Sequence, residues 1–249
     1  MSEQNYDASS ITVLEGLEAV RQRPGMYIGS LSRKGLNHLV YEIVDNSVDE
    51  HLAGYCTEIH VTLEQDGSAC VEDNGRGIPV GMHEKGMPAE RLVLTTLHAG
   101  GKFNNQAYKT SGGLHGVGSS VVNALSAWMD VEVMQDGKVH HDRFEKGKPV
   151  EKLKKGLLPV IGKTDKTGTK IRFLPDAEIF ERTDFAAGDI KSRLHETAYL
   201  NPGLTIYYED QRGDKTEAIT YHEPDGIIGF VKELSQKSEA ICEPVYFSG

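Results

Sequence analysis

Five polar side chains in residues 36–54, LNHLVYEIVDNSVDEHLAG, recur at helical stride. His38, Glu42, Asp45, Asn46 and Asp49 stand at i, i+4, i+7, i+8 and i+11, so a base, several carboxylates and an amide share one side of a helix. Side chains of these types move protons and ligate hard cations. A solvated helix face has the same spacing. Two details set this face apart: it carries Asp and Asn, poor helix formers, and no Lys or Arg occurs between Lys34 and Arg76 to pair with it.

Three further stretches carry chemistry. Asp73-Asn74-Gly75-Arg76-Gly77 closes an apolar alternation and reads either as a tight turn or as a base-recognition corner. In the second reading Asp73 accepts a hydrogen bond from an exocyclic amine such as that of adenine, and Gly75 and Gly77 let a ring approach the backbone. Arg76 then supports the corner by pairing with a carboxylate such as Glu50. Gly112-Gly113-Leu114-His115-Gly116-Val117-Gly118 precedes a helical run, an arrangement whose backbone N–H groups suit phosphate oxygens. No Gly-Lys-Ser/Thr follows it and no strand feeds it, so it is neither a Walker loop nor a dinucleotide fingerprint. Lys102 and Lys109 flank this loop, and Gly168-Thr169 opens a later strand.

The elements that must position these residues follow from periodicity. Helices are expected over 12–23, stopped by Pro24-Gly25, and over 36–54, 89–97, 117–127, 187–200 and 225–235. Strands are expected over 59–63, 68–73, 130–134, 138–145, 169–174, 204–209 and 216–221, with the strand-like PVYFSG at the end. Residues 98–120, with few large apolar side chains, read as a long loop. Helices interleaved with antiparallel hairpins predict an α+β, two-layer sandwich: one mixed, largely antiparallel sheet with helices on one face. The ending inside a strand-like run suggests a piece of something longer.

With 249 residues the chain can hold one large domain or one domain plus a small piece, and 38% apolar residues are enough for a sizeable core. A formal net charge of −10 argues against a chain whose main task is gripping nucleic acid, so any DNA is held by another part of an assembly. Cys56, Cys70 and Cys242 are too widely spaced for a metal knuckle and read as free thiols in a reducing compartment. The polar N-terminus and the lack of an 18-residue apolar run predict a cytoplasmic protein.

Taken together, the acid-and-amide helix, the Asp-x-Gly-x-Gly corner, the Gly-rich loop with its helix and the Gly-Thr pair resemble the four nucleotide boxes of the GHKL ATPases, whose Bergerat fold is the sandwich just described. The resemblance goes further through residues 14–30 (LEGLEAVRQRPGMYIGS), 44–54 (VDNSVDEHLAG), 97–103 (LHAGGKF) and 111–126 (SGGLHGVGSSVVNALS). These look like the ATPase region of the B subunits of type II DNA topoisomerases, the bacterial gyrases in particular, with topoisomerase IV the nearest rival. A nucleotide-gated clamp or chaperone module of the same superfamily is the more distant alternative.

The resemblance implies ATP and Mg2+ as cofactors. It makes Glu42 the base that activates water, His38 the group that orients it and Asn46 the magnesium ligand. Asp73 binds adenine, with Gly77 beside it and Thr169 completing the contact through water. Lys102, Tyr108 and the backbone of Leu114, His115, Gly116, Val117 and Gly118 form a lid over the phosphates. Tyr6, on an N-terminal arm of about residues 1–12, and Tyr27 reach towards a second copy of the chain, so ATP is expected to close a dimer. The implied division is a nucleotide-binding domain over 1–220 and the beginning of a second domain over 221–249. The family's second domain supplies a lysine to the γ-phosphate, and the chain ends before that segment, so poor hydrolysis is expected. Partners implied for the complete enzyme are the DNA-cleaving gyrase A protein and DNA. Gln135 stands where many relatives carry an arginine that contacts coumarin antibiotics, which implies weakened coumarin binding.

Overall fold

The computed structural model describes residues 16–99 and 116–235. Its long helix, α3 (Arg33–Leu52), buries Leu36, Leu39, Val40, Ile43, Val44 and Val48 as the apolar period requires. It starts three residues before the expected Leu36. Two short helices precede it, α1 (Gly16–Gln22) and α2 (Gly25–Ile28). Pro24 was expected to stop the chain's first helix, and it also starts the next, its carbonyl accepting from the N–H groups of Tyr27 and Ile28 at 2.9 and 3.1 Å. Proline suits a helix start because the N–H it lacks has no partner there.

The sheet is built from β1 (Glu58–Leu63), β2 (Ala69–Asp73), β3 (Ser126–Gln135), β4 (Lys138–Glu145), β7 (Gly168–Pro175), β8 (Thr205–Asp210) and β9 (Glu217–His222), with burial alternating most clearly along β1 and β7. With the short β5 (Lys148–Pro149) and β6 (Val160–Lys163), the order is β5-β4-β3-β7-β2-β1-β8-β9, and β6 also pairs with β4. Among the described residues only β1 and β8 run parallel; the other pairs are antiparallel. Register brings Val131, Ile171, Val71, Val61 and Tyr208 into one row across five strands, all buried beneath the helices. The opposite face carries cross-strand charge: Glu132, Lys170, Glu72 and His60 form the neighbouring row. Arg143 and Arg172 lie 5.1 and 4.9 Å over the Trp128 ring there. One face is therefore core and the other solvent, the two-layer α+β sandwich expected.

The remaining helices are α4 (Ala89–Thr95), α5 (Gly118–Ala124), α6 (Ala187–Leu200) and α7 (Gly226–Ser235). α5 stops short of the expected Ala127, and β3 begins at Ser126 rather than at Asp130. Leu125 keeps the helical period but is buried at the corner, where its carbonyl accepts from the Asp176 N–H at 3.0 Å. The Ser126 hydroxyl donates to the Val122 carbonyl at 2.7 Å and closes the last helical turn. The short β5 and β6 were not expected, and α4 ends two residues early. β9 ends at His222, and α7 packs on α6 through Tyr199 and Phe230, 5.2 Å between ring centres. Cys56 and Cys70 are unpaired and buried, which pushes both thiols up to about 12. The N-terminal arm, most of the Gly-rich loop, Cys242 and the terminal PVYFSG run lie outside the described residues.

One packing feature gives a pH-dependent expectation. Glu90 on α4 is 0% exposed, and among the described residues neither of its carboxyl oxygens receives a hydrogen bond from an N–H or O–H group. Its neighbour Asp142, equally buried, is held by Arg91 through Nε and Nη2 at 2.8 and 2.7 Å. Burial first, and the Asp142 charge second, raise the Glu90 pKa well above the usual carboxyl range, which favours the protonated carboxyl in the fold. The folded state then holds a proton that the unfolded chain releases above about pH 4.3. Folding stability falls with rising pH by up to about 1.4 kcal/mol per unit until the folded-state pKa is passed. Glu90→Gln keeps an N–H donor to Asp142 without the titration. Its melting temperature should gain on the parent's between pH 5 and pH 8, and a constant or shrinking gap would show that Glu90 is ionised in the fold.

Candidate functional site

A cleft opens between α3, the ends of β2 and β7 and the first turn of α5. Ile43, Val71, Ile78, Val93 and Ile171 give it apolar walls, and Asn46, Asp73, Gly77, Gly116, Gly118 and Thr169 line it with the groups that the motifs single out. Apolar walls with a few converging polar groups are the usual make-up of a small-molecule site.

At the sheet end, Asp73 is 8% exposed and its carboxylate accepts three hydrogen bonds from the protein, which leaves one lone pair of Oδ2 for a ligand. Oδ1 accepts from the Gly75 N–H at 2.9 Å and the Thr169 N–H at 3.4 Å, and Oδ2 accepts from the Ser47 hydroxyl at 2.9 Å. Burial raises the Asp73 pKa, against the pull of these three donors. The Thr169 hydroxyl accepts from the Ile78 N–H at 3.1 Å. This closeness depends on Gly168, where a Cβ would fall 1.9 Å from the Asp73 carbonyl oxygen, so no side chain fits between the start of β7 and the end of β2. Gly77 sits against the same seam, 3.0 Å from the Gly168 carbonyl oxygen at its own Cβ position. Arg76 and Glu50 brace the corner: the Arg76 Nε and Nη2 donate to Glu50 at 3.0 and 2.8 Å, and the guanidinium lies 3.9 Å over the Tyr55 ring. The Gln135 side chain reaches the Arg76 carbonyl at 3.4 Å.

At the helix end, Nε2 of His38 lies 2.9 Å from Oε1 of Glu42, and this hydrogen bond raises the imidazole pKa. Gly118 presses on the same carboxylate: a Cβ there would fall 2.1 Å from Oε2 of Glu42. One turn along α3, the Asn46 amide nitrogen donates to the Glu42 carbonyl at 2.8 Å and to the Ser119 hydroxyl at 3.0 Å. With its nitrogen held by the protein, the oxygen is the end of this amide suited to a cation. Among the described residues no group of three or more His, Cys, Asp or Glu could cage a metal. One amide oxygen from a residue lining the cleft suits magnesium, which keeps most of its waters and takes the remaining oxygens from substrate phosphates.

The polar stripe of α3 thus divides. Asp49 is 1% exposed and faces the interior, whereas Glu42 and Asn46 meet the first turn of α5, and His38 joins them through Glu42. Tyr27 packs on the core edge. Tyr6, Lys102, Tyr108, Leu114 and His115 lie outside the described residues; Gly116 lines the cleft, and Val117 packs against the core beside it. Sequence reasoning missed Ser47 and Ser119. Each is a small hydroxyl adjacent to a chosen residue, and only its long-range partner reveals it.

A family profile described as histidine kinase-, DNA gyrase B-, and HSP90-like ATPase matches residues 32–179. The DNA gyrase B protein of Halalkalibacterium halodurans is 55% identical over 99% of this chain and 38% of its own length. The DNA topoisomerase 4 B protein of Enterococcus faecalis is 53% identical over 98% of this chain and 35% of its own length. Among solved structures, the 43K ATPase domain of Thermus thermophilus gyrase B in complex with an aminocoumarin aligns with a TM-score of 0.79 and 44% identity, covering 92% of this chain and 57% of that one. The chain therefore spans a little over a third of the length of these curated relatives.

Proposed function

The chain belongs to the histidine kinase-, DNA gyrase B-, and HSP90-like ATPase family, and on that premise we propose that it is the ATP-binding and ATP-hydrolysing region of a type II DNA topoisomerase, from the B-type polypeptide of that enzyme. DNA gyrase is the first reading. Topoisomerase IV is matched almost equally, at 53% against 55% identity, and the proposal takes in both. The supporting observation is one apolar cleft with buried Asp73 at its sheet end and Asn46, beside the His38–Glu42 pair, at its helix end.

In this reading adenine lies between the walls of Val71, Ile78 and Ile171, its exocyclic amine donating to Asp73, and Thr169 holds a bridging water. The phosphates extend towards Gly116 and Gly118, into the lid that Lys102, Tyr108, Leu114, His115 and Val117 complete. Asn46 holds Mg2+, which when bound neutralises charge on the phosphates. Glu42 takes a proton from water as its oxygen attacks the γ-phosphorus, and the bond to the β-phosphate oxygen breaks to leave ADP and phosphate. His38 keeps the Glu42 carboxylate turned to that water, and Glu50 and Arg76 keep the adenine corner in place.

The same proposal makes ATP the signal for dimer closure between two copies, with Tyr6 and Tyr27 at the partner, residues 221–249 beginning a second domain, and the gyrase A protein and DNA joining in the complete cytoplasmic enzyme. No helix among the described residues is long and apolar enough to cross a membrane. Light scattering with Mg2+ and a non-hydrolysable ATP analogue should show the mass double. A monomer with verified bound nucleotide would count against closure. Gln135 should make coumarins weak ligands, because a neutral amide cannot form a guanidinium fork. A nanomolar dissociation constant by calorimetry would contradict this.

A further inference from the structure

We propose that Ser119 is a positioning residue for the metal, holding the Asn46 amide by its nitrogen so that its oxygen is presented to the cation. This rests on the reading of Asn46 as the magnesium ligand. An amide can turn either end to a site, and only its oxygen binds magnesium. Within α3 the Glu42 carbonyl takes the Asn46 amide nitrogen at 2.8 Å, a contact that any exposed helical asparagine can make. The second acceptor, Ser119, comes from another element, 73 residues away at 3.0 Å, and fixes the rotation that the first leaves open. A hydroxyl is needed there because it can accept this N–H, which an aliphatic side chain cannot.

The placement also links two parts of the site. Gly118 abuts the Glu42 carboxylate and Ser119 holds Asn46, so consecutive residues of α5 set the water-activating group and the metal ligand on α3. Any shift of α5 that accompanies nucleotide binding is felt by both. Ser119 acts through Asn46 rather than on the nucleotide, so its loss should register in metal affinity and leave metal-free nucleotide affinity alone.

The test titrates Mn2+ into the protein saturated with a non-hydrolysable ATP analogue, and separately titrates the analogue in chelator. Ser119→Ala should weaken Mn2+ binding about three- to tenfold, the range for one neutral hydrogen bond, with metal-free analogue affinity within twofold of the parent. Ser119→Thr, which restores the hydroxyl, should recover the metal affinity. Unchanged Mn2+ affinity in Ser119→Ala, an equal loss of metal-free affinity, or no recovery in Ser119→Thr overturns the proposal. Asn46→Ala separates the two levels: if it leaves Mn2+ affinity intact, the assignment of the ligand fails, and the role of Ser119 fails with it.

Discussion

Glu42→Ala should keep its affinity for ATP and lose turnover by about 10²- to 10⁴-fold, the usual range for a positioned general base. That is a barrier increase of roughly 3–5 kcal/mol. The loss should be specific. Alanine is the best helix former, and Glu42 is partly exposed on the face of α3 away from its buried stripe, so the helix survives the change. Glu42→Gln should lose nearly as much, because an amide of the same shape can stay near His38 but cannot take a proton. Release of labelled phosphate at saturating ATP measures turnover, and a non-hydrolysable analogue measures affinity. Turnover within a few fold of the parent would remove Glu42 from the role of base. It would leave the alternative of a nucleotide-gated clamp, in which ATP is bound mainly for the conformation it stabilises.

Asp73→Asn should have the opposite signature: a folded protein that no longer holds nucleotide well. Three donors converge on the carboxylate, and the amide can satisfy them all. Its oxygen can accept from the N–H groups of Gly75 and Thr169, and the Ser47 hydroxyl can reverse to accept from its nitrogen. Burial raises the Asp73 pKa, so replacing the charge with a neutral group relieves strain on the fold, and the unliganded melting temperature should hold or rise. The exocyclic amine, however, would meet an N–H where it needs an acceptor. A hydrogen bond to a charged group contributes about 1.5–3 kcal/mol, so affinity should fall roughly ten- to a hundredfold, seen as lost nucleotide protection in thermal melts. For the same reason the parent should lose nucleotide on acidification at a higher pH than an ordinary aspartate would set, because a protonated Asp73 accepts less well.

The parts legible in the sequence were those with a local period. α3 and its two stripes, the alternating β1 and β7, and Asp73 at a strand end all follow from spacing, because helices and strands repeat their burial every few residues. What stayed hidden depends on distant partners. Ser47 meets Asp73 across 26 residues, and Gly168 abuts the Asp73 carbonyl only once β7 lies beside β2. The parallel pairing of β1 with β8 leaves no local mark, and β5 and β6 are strands only because β4 offers them an edge. At Leu125 the apolar period continues while the chain turns from α5 into β3, so periodicity alone overran the helix. Glu90 reads as an ordinary acid in a first helical turn until Asp142 is placed beside it.

The most direct test is a crystal structure of the protein with Mg2+ and a non-hydrolysable ATP analogue. The expected complex has the exocyclic amine of adenine within hydrogen-bonding distance of the Asp73 carboxylate, the Asn46 amide oxygen on the cation and the Glu42 carboxylate facing the γ-phosphate. Nucleotide bound outside the cleft between α3, β2 and β7, or a cation held without Asn46, would contradict the account.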